Sequence, residues 1–519
     1  MRLCQCPNCD RQLKENMTSI LTADPILEPR YMEELSNRLI IDGKLILSEG
    51  ISQPIVHPAT LQVVGHLAEA TASEIAWSVS NAAKAQNLWA KISPQERGVF
   101  LRACTEKLRH HREELAYLLT LEAGKPIRTE SIGEVNFLIK ILDYYSGLGT
   151  EIKGETAVLN STTLMYTLRE PIGVVAAILA WNVPLALMAY KIGPSLMAGN
   201  TVVVKPAEEA SLSVLQAALI MQACLPPGVL NIITGSGEKV GQSLIQHPAI
   251  QKVTFTGSVE TGRLVSIQAA NRLIPVSLEL GGKSPMIVCE DTDLEEVAKQ
   301  TLIAMRFTRQ GQSCTATSRI FIHRNRFDDF CHLLKTEIDK MIIGNPFDQK
   351  TDIGTVISAA QFKKIQYFLD LASREKEARI TYCSALPQEE KLNNGWFLQP
   401  ALITGISHHH EVVQEEIFGP VACLFPWDDL QSVTQMANDT RYGLAATIWT
   451  HDLDIANFLI DNLKAGLVQI NQHLPVQPGV SFGGYKYSGF GKEASLEAML
   501  DYFTQKKTVL LKKPESIFV

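Results

Sequence analysis

Gly173-Val174-Val175-Ala176-Ala177-Ile178-Leu179, Thr201-Val202-Val203-Val204-Lys205 and Leu230-Asn231-Ile232-Ile233 are short apolar runs rich in β-branched residues. Strands buried on both faces read this way, whereas strands with one wet face alternate polar and apolar residues. Further runs follow at Val253–Phe255, Pro275–Leu278 and Met286–Val288, and the helical patterns Ser213–Cys224, Lys239–Ile245 and Thr261–Asn271 separate most of them. Parallel strands need such crossovers, so the order predicts a doubly wound α/β sheet between Gly173 and Val288. Gly235-Ser236-Gly237 with Gly241, and Phe255-Thr256-Gly257-Ser258 with Gly262, both open a helix at a strand end. Backbone amides at such turns can meet a dinucleotide phosphate, although glycines there also serve positive φ or close packing.

Outward from this core, a second alternating region runs from Ile287 to about Phe482, with a helix starting near Asp293 and strands at Ile320–Ile322 and Val421–Phe425. Upstream, apolar residues recur at helical spacing from Ala72 to Leu121; Ser73 and Ser93 read as N-caps, with Pro94 in a first turn, and two helices are expected. Glu151–Arg169 alternates after Gly154 and reads as a hairpin, and Thr504–Lys512 has similar strand character.

A chain of 519 residues with 46% hydrophobic and 20% charged content can bury a large core and exceeds one compact domain, so two main domains are expected. The formal net charge of −7 lacks the basic footprint of a nucleic-acid or anionic-membrane partner. Ten cysteines are too sparse for a disulfide scaffold and no secretory leader pattern is seen, which makes a reducing cytoplasm the expected setting. Ile172 to Tyr190 carries no charge and formally reaches spanning length, but Asn182 and Pro184 interrupt it, so strand, loop and buried helix start are expected instead of a membrane span. Cys4, Cys6 and Cys9 in the polar leader lack a fourth ligand, and no metal site is expected there.

The chemistry concentrates in Arg309-Gln310-Gly311-Gln312-Ser313-Cys314-Thr315, read with Glu279-Leu280-Gly281-Gly282. A thiol in a polar turn can be ionised and approached, whereas Cys224, Cys289, Cys331 and Cys423 fall in helical or strand patterns where thiols pack. A carboxylate between Leu278 and Leu280 has a raised pKa if buried, which suits a base working near neutral pH. Taken alone, such a strand-end glutamate is more often solvated or salt-bridged than a base, and Asn182 before Pro184 reads equally as turn chemistry.

Trp181-Asn182-Val183-Pro184, Val204-Lys205-Pro206-Ala207-Glu208, Phe255-Thr256-Gly257-Ser258, Leu278 to Pro285, Gly311-Gln312-Ser313-Cys314, Glu415 to Pro420 and Ser481 to Lys486 occur in one order. Together they resemble the NAD(P)-dependent aldehyde dehydrogenase superfamily over roughly residues 38 to 515. The resemblance implies a Rossmann-type cofactor domain (38–150 and 172–281), an α/β catalytic domain (282–484), a β-strand oligomerisation arm (151–171 and 498–519) and a tail (1–37). By the same resemblance Cys314 attacks an aldehyde, Asn182 and the Cys314 N–H receive the oxyanion, hydride passes to nicotinamide, and Glu279 activates the water that cleaves the thioester. Members that transfer the acyl group to coenzyme A commonly lack this glutamate, so a free acid is the expected product.

For the cofactor, the resemblance assigns Lys205 and Glu208 to the adenine ribose and Ser258 to the pyrophosphate. Glu416 and Phe418 go to the nicotinamide ribose and ring, with Trp181, Gly237, Gly241, Gly257 and Leu280 around them. A carboxylate at Glu208 repels the extra phosphate of NADP, which favours NAD. Leu187, Tyr190 and Phe482 match tunnel-lining positions and suggest an apolar throat. Two departures stand out: Ala180 replaces a frequent proline, and the interval from Glu279 to Cys314 is 35 positions, one longer than in many members. The extra residue falls near Arg306–Gln310, so Arg306 or Arg309 is a candidate for selecting a semialdehyde carboxylate, against an ion-pair role. The arm implies a homodimer or homotetramer. A catalytically silent structural or binding protein on this fold would be expected to lack one of the thiol, base and oxyanion donor, and thiol chemistry without NAD would be acyl transfer or ester hydrolysis.

Overall fold

A computed structural model describes residues 34–513; the cysteine leader lies outside them. The first sheet has eight strands, hydrogen-bonded in the order Gly489–Phe490, Val276–Glu279, Ile250–Thr256, Val174–Ile178, Thr201–Lys205, Leu230–Ile232, Arg38–Ile41 and Lys44–Leu47. Its five inner strands are parallel and its margins antiparallel. Every residue of Val174–Ile178 and Thr201–Lys205 is buried, which is why those runs never alternate. From Val174–Ile178 the chain builds outward through Thr201–Lys205 to Leu230–Ile232, then returns to its other side with Ile250–Thr256. That reversal opens a crevice at the carboxyl ends of the strands, where the loop carrying Asn182 and the turn carrying Gly257 and Ser258 both emerge.

The second sheet has seven strands in the order Arg379–Tyr382, Ala401–Thr404, Val421–Trp427, Arg319–His323, Pro285–Val288, Ala445–Trp449 and Leu467–Ile470, all parallel except the first. Cys314 and Glu416 precede two neighbouring strands of this sheet, Arg319 standing opposite Cys423. The second sheet therefore offers its amino end to the crevice and the first sheet its carboxyl end. A third sheet joins Thr156–Asn160, Thr163–Pro171 and Thr504–Lys512, the last two paired from Thr504↔Pro171 to Lys512↔Thr163.

Two local expectations are corrected. Thr71, not Ser73, caps Ala72–Trp89, because its hydroxyl and Glu74 form a reciprocal capping box. The segment from Ala72 to Ala123 holds three helices, not two, since His111 leaves helical geometry (φ −104°, ψ 18°) between Pro94–His110 and Arg112–Ala123. Ser93 caps Pro94–His110 with Glu96 as expected. Ile172–Tyr190 becomes a strand, a turn and a helix start, and among the described residues no helix is long and apolar enough to cross a membrane.

Candidate active site

Glu279 ends a strand of the first sheet and is 5% exposed. Burial raises its carboxyl well above the ordinary range, Glu493 adds to the rise, and Lys191 and Lys492 oppose it. Its Oε2 is buried without a hydrogen-bond partner, so the group has an unused acceptor facing the interior. The backbone that follows threads between the other functional groups with no room for a side chain. A Cβ on Gly281 would stand 2.2 Å from Glu416 Oε2, and one on Gly282 would stand 2.3 Å from the Cys314 carbonyl oxygen. On the far side, a Cβ on Gly483 would lie 2.8 Å from Glu279 Oε1. At Gly281 and Gly282 glycine serves close approach of backbone, not a turn conformation.

Cys314 sits after a turn built on Arg306 (φ 54°), Gln310 (φ 55°) and Gly311 (φ 64°). Burial pushes its thiol up to about 12, Glu416 and Glu279 push the same way, and the Cys314 N–H and Arg309 oppose them. Thiol and base thus lie within each other's electrostatic reach. Asn182, 6% exposed in the loop before Pro184–Met197, donates from Nδ2 to the Gln312 carbonyl at 3.3 Å, which ties it to the turn of the nucleophile. Cys423 is buried within Val421–Trp427 and Cys289, 2% exposed, directly follows Pro285–Val288, as expected; Cys224 instead lies in the turn after the helix Leu212–Gln222, partly buried, and its interaction with Cys104 lowers its pKa to about 7.

The crevice is furnished for a dinucleotide. Glu416 Oε1 accepts the Gly282 N–H at 2.9 Å, and the Trp181 and Phe418 rings meet edge to face with centroids 5.1 Å apart. Lys205, 3% exposed at a strand end, holds its ammonium 3.8 Å from Glu208, whose carboxylate accepts the Gly237 N–H at 3.0 Å. A Cβ on Gly241 would stand 3.9 Å from the Lys205 stem. Ser258, exposed, caps Val259–Asn271, and Leu280 fills the space a Cβ on Gly262 would need. Lys205 with Glu208 can take two hydroxyls, Ser258 at a helix start an anion, and Glu416 with Phe418 a ribose and a ring, so the donor set fits NAD.

Leu187, Tyr190 and Phe482 share one buried cluster against which Cys314, Trp181 and Val183 pack. The Tyr190 hydroxyl donates to the Val476 carbonyl at 2.8 Å. Arg309 is paired with Glu130: its Nε and Nη2 both bond Glu130 Oε2, at 2.8 and 2.5 Å, and Thr308 bonds the other oxygen. Its pairing is the ion-pair role weighed against carboxylate selection.

Sequence reading missed the polar support behind the site. Lys191 Nζ bonds Glu493 at 2.7 Å and Thr254 at 3.2 Å, all three buried, and both charges act on Glu279. Lys125 similarly pairs with Glu134, which accepts the Leu185 N–H at 3.0 Å where the helix after Asn182 begins. A lone lysine directly after the charge-free stretch Ile172–Tyr190 was the one available signal.

A model of the aldehyde dehydrogenase family matches residues 47–509. The chain is 37% identical over 503 residues to aldehyde dehydrogenase family 2 member B4, mitochondrial, of Arabidopsis thaliana, covering 96% of this chain and 92% of that one. It is 37% identical over 475 residues to a betaine aldehyde dehydrogenase of Vibrio vulnificus, covering 91% and 96%. Among solved structures, a betaine aldehyde dehydrogenase of Staphylococcus aureus in complex with NAD+ superposes with a TM-score of 0.88 at 33% identity, covering 94% of this chain and 98% of that one.

Proposed function

The chain belongs to the aldehyde dehydrogenase family and is an NAD-dependent oxidoreductase acting on aldehydes, and we propose a division of that chemistry among its residues. Cys314 is the nucleophile. With its thiol at about 12, the sulfur is protonated at neutral pH until a base takes the proton, and Glu279 is the buried carboxylate within its reach. Attack on the carbonyl carbon moves charge to oxygen, where Asn182 Nδ2 and the Cys314 N–H are the donors. When bound, NAD+ supplies the acceptor for the hydride. The resulting thioester stays on Cys314 until Glu279, having released the thiol proton to solvent, removes a proton from water; hydroxide adds to the acyl carbon, the carbon–sulfur bond breaks, and the carboxylic acid leaves.

The observation that carries this reading is the buried, partnerless Glu279 oxygen within electrostatic range of the Cys314 thiol. The test is NAD reduction over an aldehyde panel. Cys314→Ala is expected to abolish turnover, and a variant that keeps it would remove the thiol from the mechanism. Release of acid from an ester at full rate without NAD would favour the hydrolase alternative.

NAD over NADP is supported by Glu208, whose carboxylate stands beside Lys205 where a 2′-phosphate would enter. A homodimer or dimer of dimers is supported by the three-stranded arm, on whose strands Val158 (66%) and Leu510 (64%) are exposed. The seven described cysteines are all free thiols, which suits a reducing, cytoplasmic setting. The apolar throat of Leu187, Tyr190 and Phe482 suits an aldehyde whose chain is hydrocarbon near the reacting carbon.

A further inference from the structure

Glu130 and Glu134 stand four positions apart on one continuous helical segment, a π-helical turn Ile127–Ser131 running into Ile132–Ser146, and both are buried. Residues four apart project to the same side of a helix. Each carboxylate reaches a different half of the active site. Glu134 Oε1 accepts the Leu185 N–H at 3.0 Å, one of the amides that the first turn of Pro184–Met197 leaves without a partner in the helix, and Asn182 lies three residues back along the chain. Glu130 accepts the Thr308 hydroxyl on one oxygen and Arg309 Nε and Nη2 on the other, in the turn that leads to Cys314.

The two reaches meet on the far side. The Arg309 carbonyl accepts both the Gln312 N–H and Gln312 Nε2, each at 3.1 Å, and Gln312 Oε1 accepts the Ile357 N–H at 3.0 Å. The carbonyl of this fixed residue takes a hydrogen from Asn182 Nδ2 at 3.3 Å. The bonds therefore close a ring, from Glu130 through Arg309, Gln312, Asn182 and Leu185 to Glu134 and back along the helix. An amide nitrogen carries two hydrogens, so the one held by Gln312 fixes the direction in which the other is offered. Arg309 and Lys125 balance the two carboxylates. Buried, fully partnered networks of charged hydrogen bonds are stiff, and a π-helical turn is a rare element that recurs at functional sites.

We propose that Glu130 and Glu134 are positioning residues for the oxyanion site, together setting the spacing between Asn182 and the turn that presents the Cys314 N–H. The proposal rests on the aldehyde-oxidation reading above, in which those two donors receive the charge that develops on the carbonyl oxygen. All four oxygens of the two carboxylates are engaged by protein donors, so neither group acts as a base or a ligand. Their effect is through aim. An oxyanion donor helps only where it points at the oxygen of the transition state, and a displacement of about 1 Å costs about 10²-fold in rate.

The test is a double-mutant cycle against Asn182→Ala, read in kcat/KM for the fastest aldehyde of the panel at saturating NAD. Glu130→Gln alone strands a buried guanidinium, so it is made together with Arg309→Gln, which removes both charges at once. That pair is expected to lower kcat/KM about 10- to 100-fold, with the dissociation constant for NAD unchanged in a fluorescence titration. In the Asn182→Ala protein the same pair should cost about tenfold less, because the donor it aims is already gone. Thr308→Val deletes one tie to Glu130 and keeps the ion pair, so it reads the same coupling without disturbing the buried charges. It should cost about 3- to 10-fold alone and a smaller factor beside Asn182→Ala. Losses that multiply independently in these cycles, a loss carried by weaker NAD binding, or wild-type kcat/KM in the charge-pair variant overturns the proposal and leaves aldehyde oxidation standing. No NAD reduction by the wild-type protein with any aldehyde would sink both.

Discussion

Replacing Glu279 with glutamine should damage catalysis and improve stability at the same time. The substitution keeps the shape and removes a charge that the fold holds in a 5% exposed site. Loss of a general base costs about 10²- to 10⁴-fold in rate, or roughly 3–5 kcal/mol of barrier. That loss should fall on both steps the base serves, thiol activation and deacylation, so the first equivalent of NADH forms more slowly than in wild type and the thioester that does form persists on Cys314, visible as an adduct by mass spectrometry. Stability moves the other way. The folded carboxyl titrates above its unfolded value, so the folded state binds its proton more tightly. Below the unfolded pKa both states are protonated and the group is neutral to stability. As pH rises through the unfolded and then the folded pKa, the wild-type protein loses stability, by about 1.4 kcal/mol for every tenfold difference between the two acid dissociation constants. Thermal unfolding of the variant should therefore match wild type near pH 4 and exceed it increasingly toward pH 8. A variant that turns over at the wild-type steady-state rate, or that is the less stable at pH 8, would refute the argument.

Three further outcomes follow from the same geometry. Asn182→Ala should lower kcat/KM by about 10²- to 10³-fold as an oxyanion donor is lost, with a small fall in melting temperature, read by calorimetry alongside, from the lost bond to the Gln312 carbonyl. Gly282→Ala should abolish activity in a protein that still binds NAD by fluorescence titration, because the new methyl falls 2.3 Å from the Cys314 carbonyl, a backbone atom that must move. Glu208→Gln should narrow the ratio of KM values for NADP and NAD by about tenfold or more, since it removes like-charge repulsion and keeps a hydrogen-bonding side chain.

What could be read from the chain, and what could not, divides by sequence distance. Val174–Ile178 and Thr201–Lys205 were legible because burial on both faces removes polar residues from the strand itself. The candidates Cys314, Glu279 and Asn182 could be picked out because each sits in a short motif with its own turn residues. The state of Arg309 was not legible: its partner Glu130 lies 179 positions away, and the interval that drew attention to the arginine carries no trace of that carboxylate. The pairing of Lys191 with Glu493 spans 302 positions and was invisible for the same reason. His111 separates two helices through backbone geometry that residue periodicity does not report. Ser73 lost the cap to Thr71 because only Thr71 has a glutamate three positions on.

The proposed nucleophile and base hang from different sheets, Cys314 ahead of a strand of the second and Glu279 at the end of a strand of the first. Neither ladder of hydrogen bonds sets their separation; the seating of one sheet against the other does. A slip too small to melt any helix or strand would still pull sulfur and carboxylate out of register. On warming, or in mild denaturant, catalytic power should fade while the circular dichroism of the backbone still reads as native.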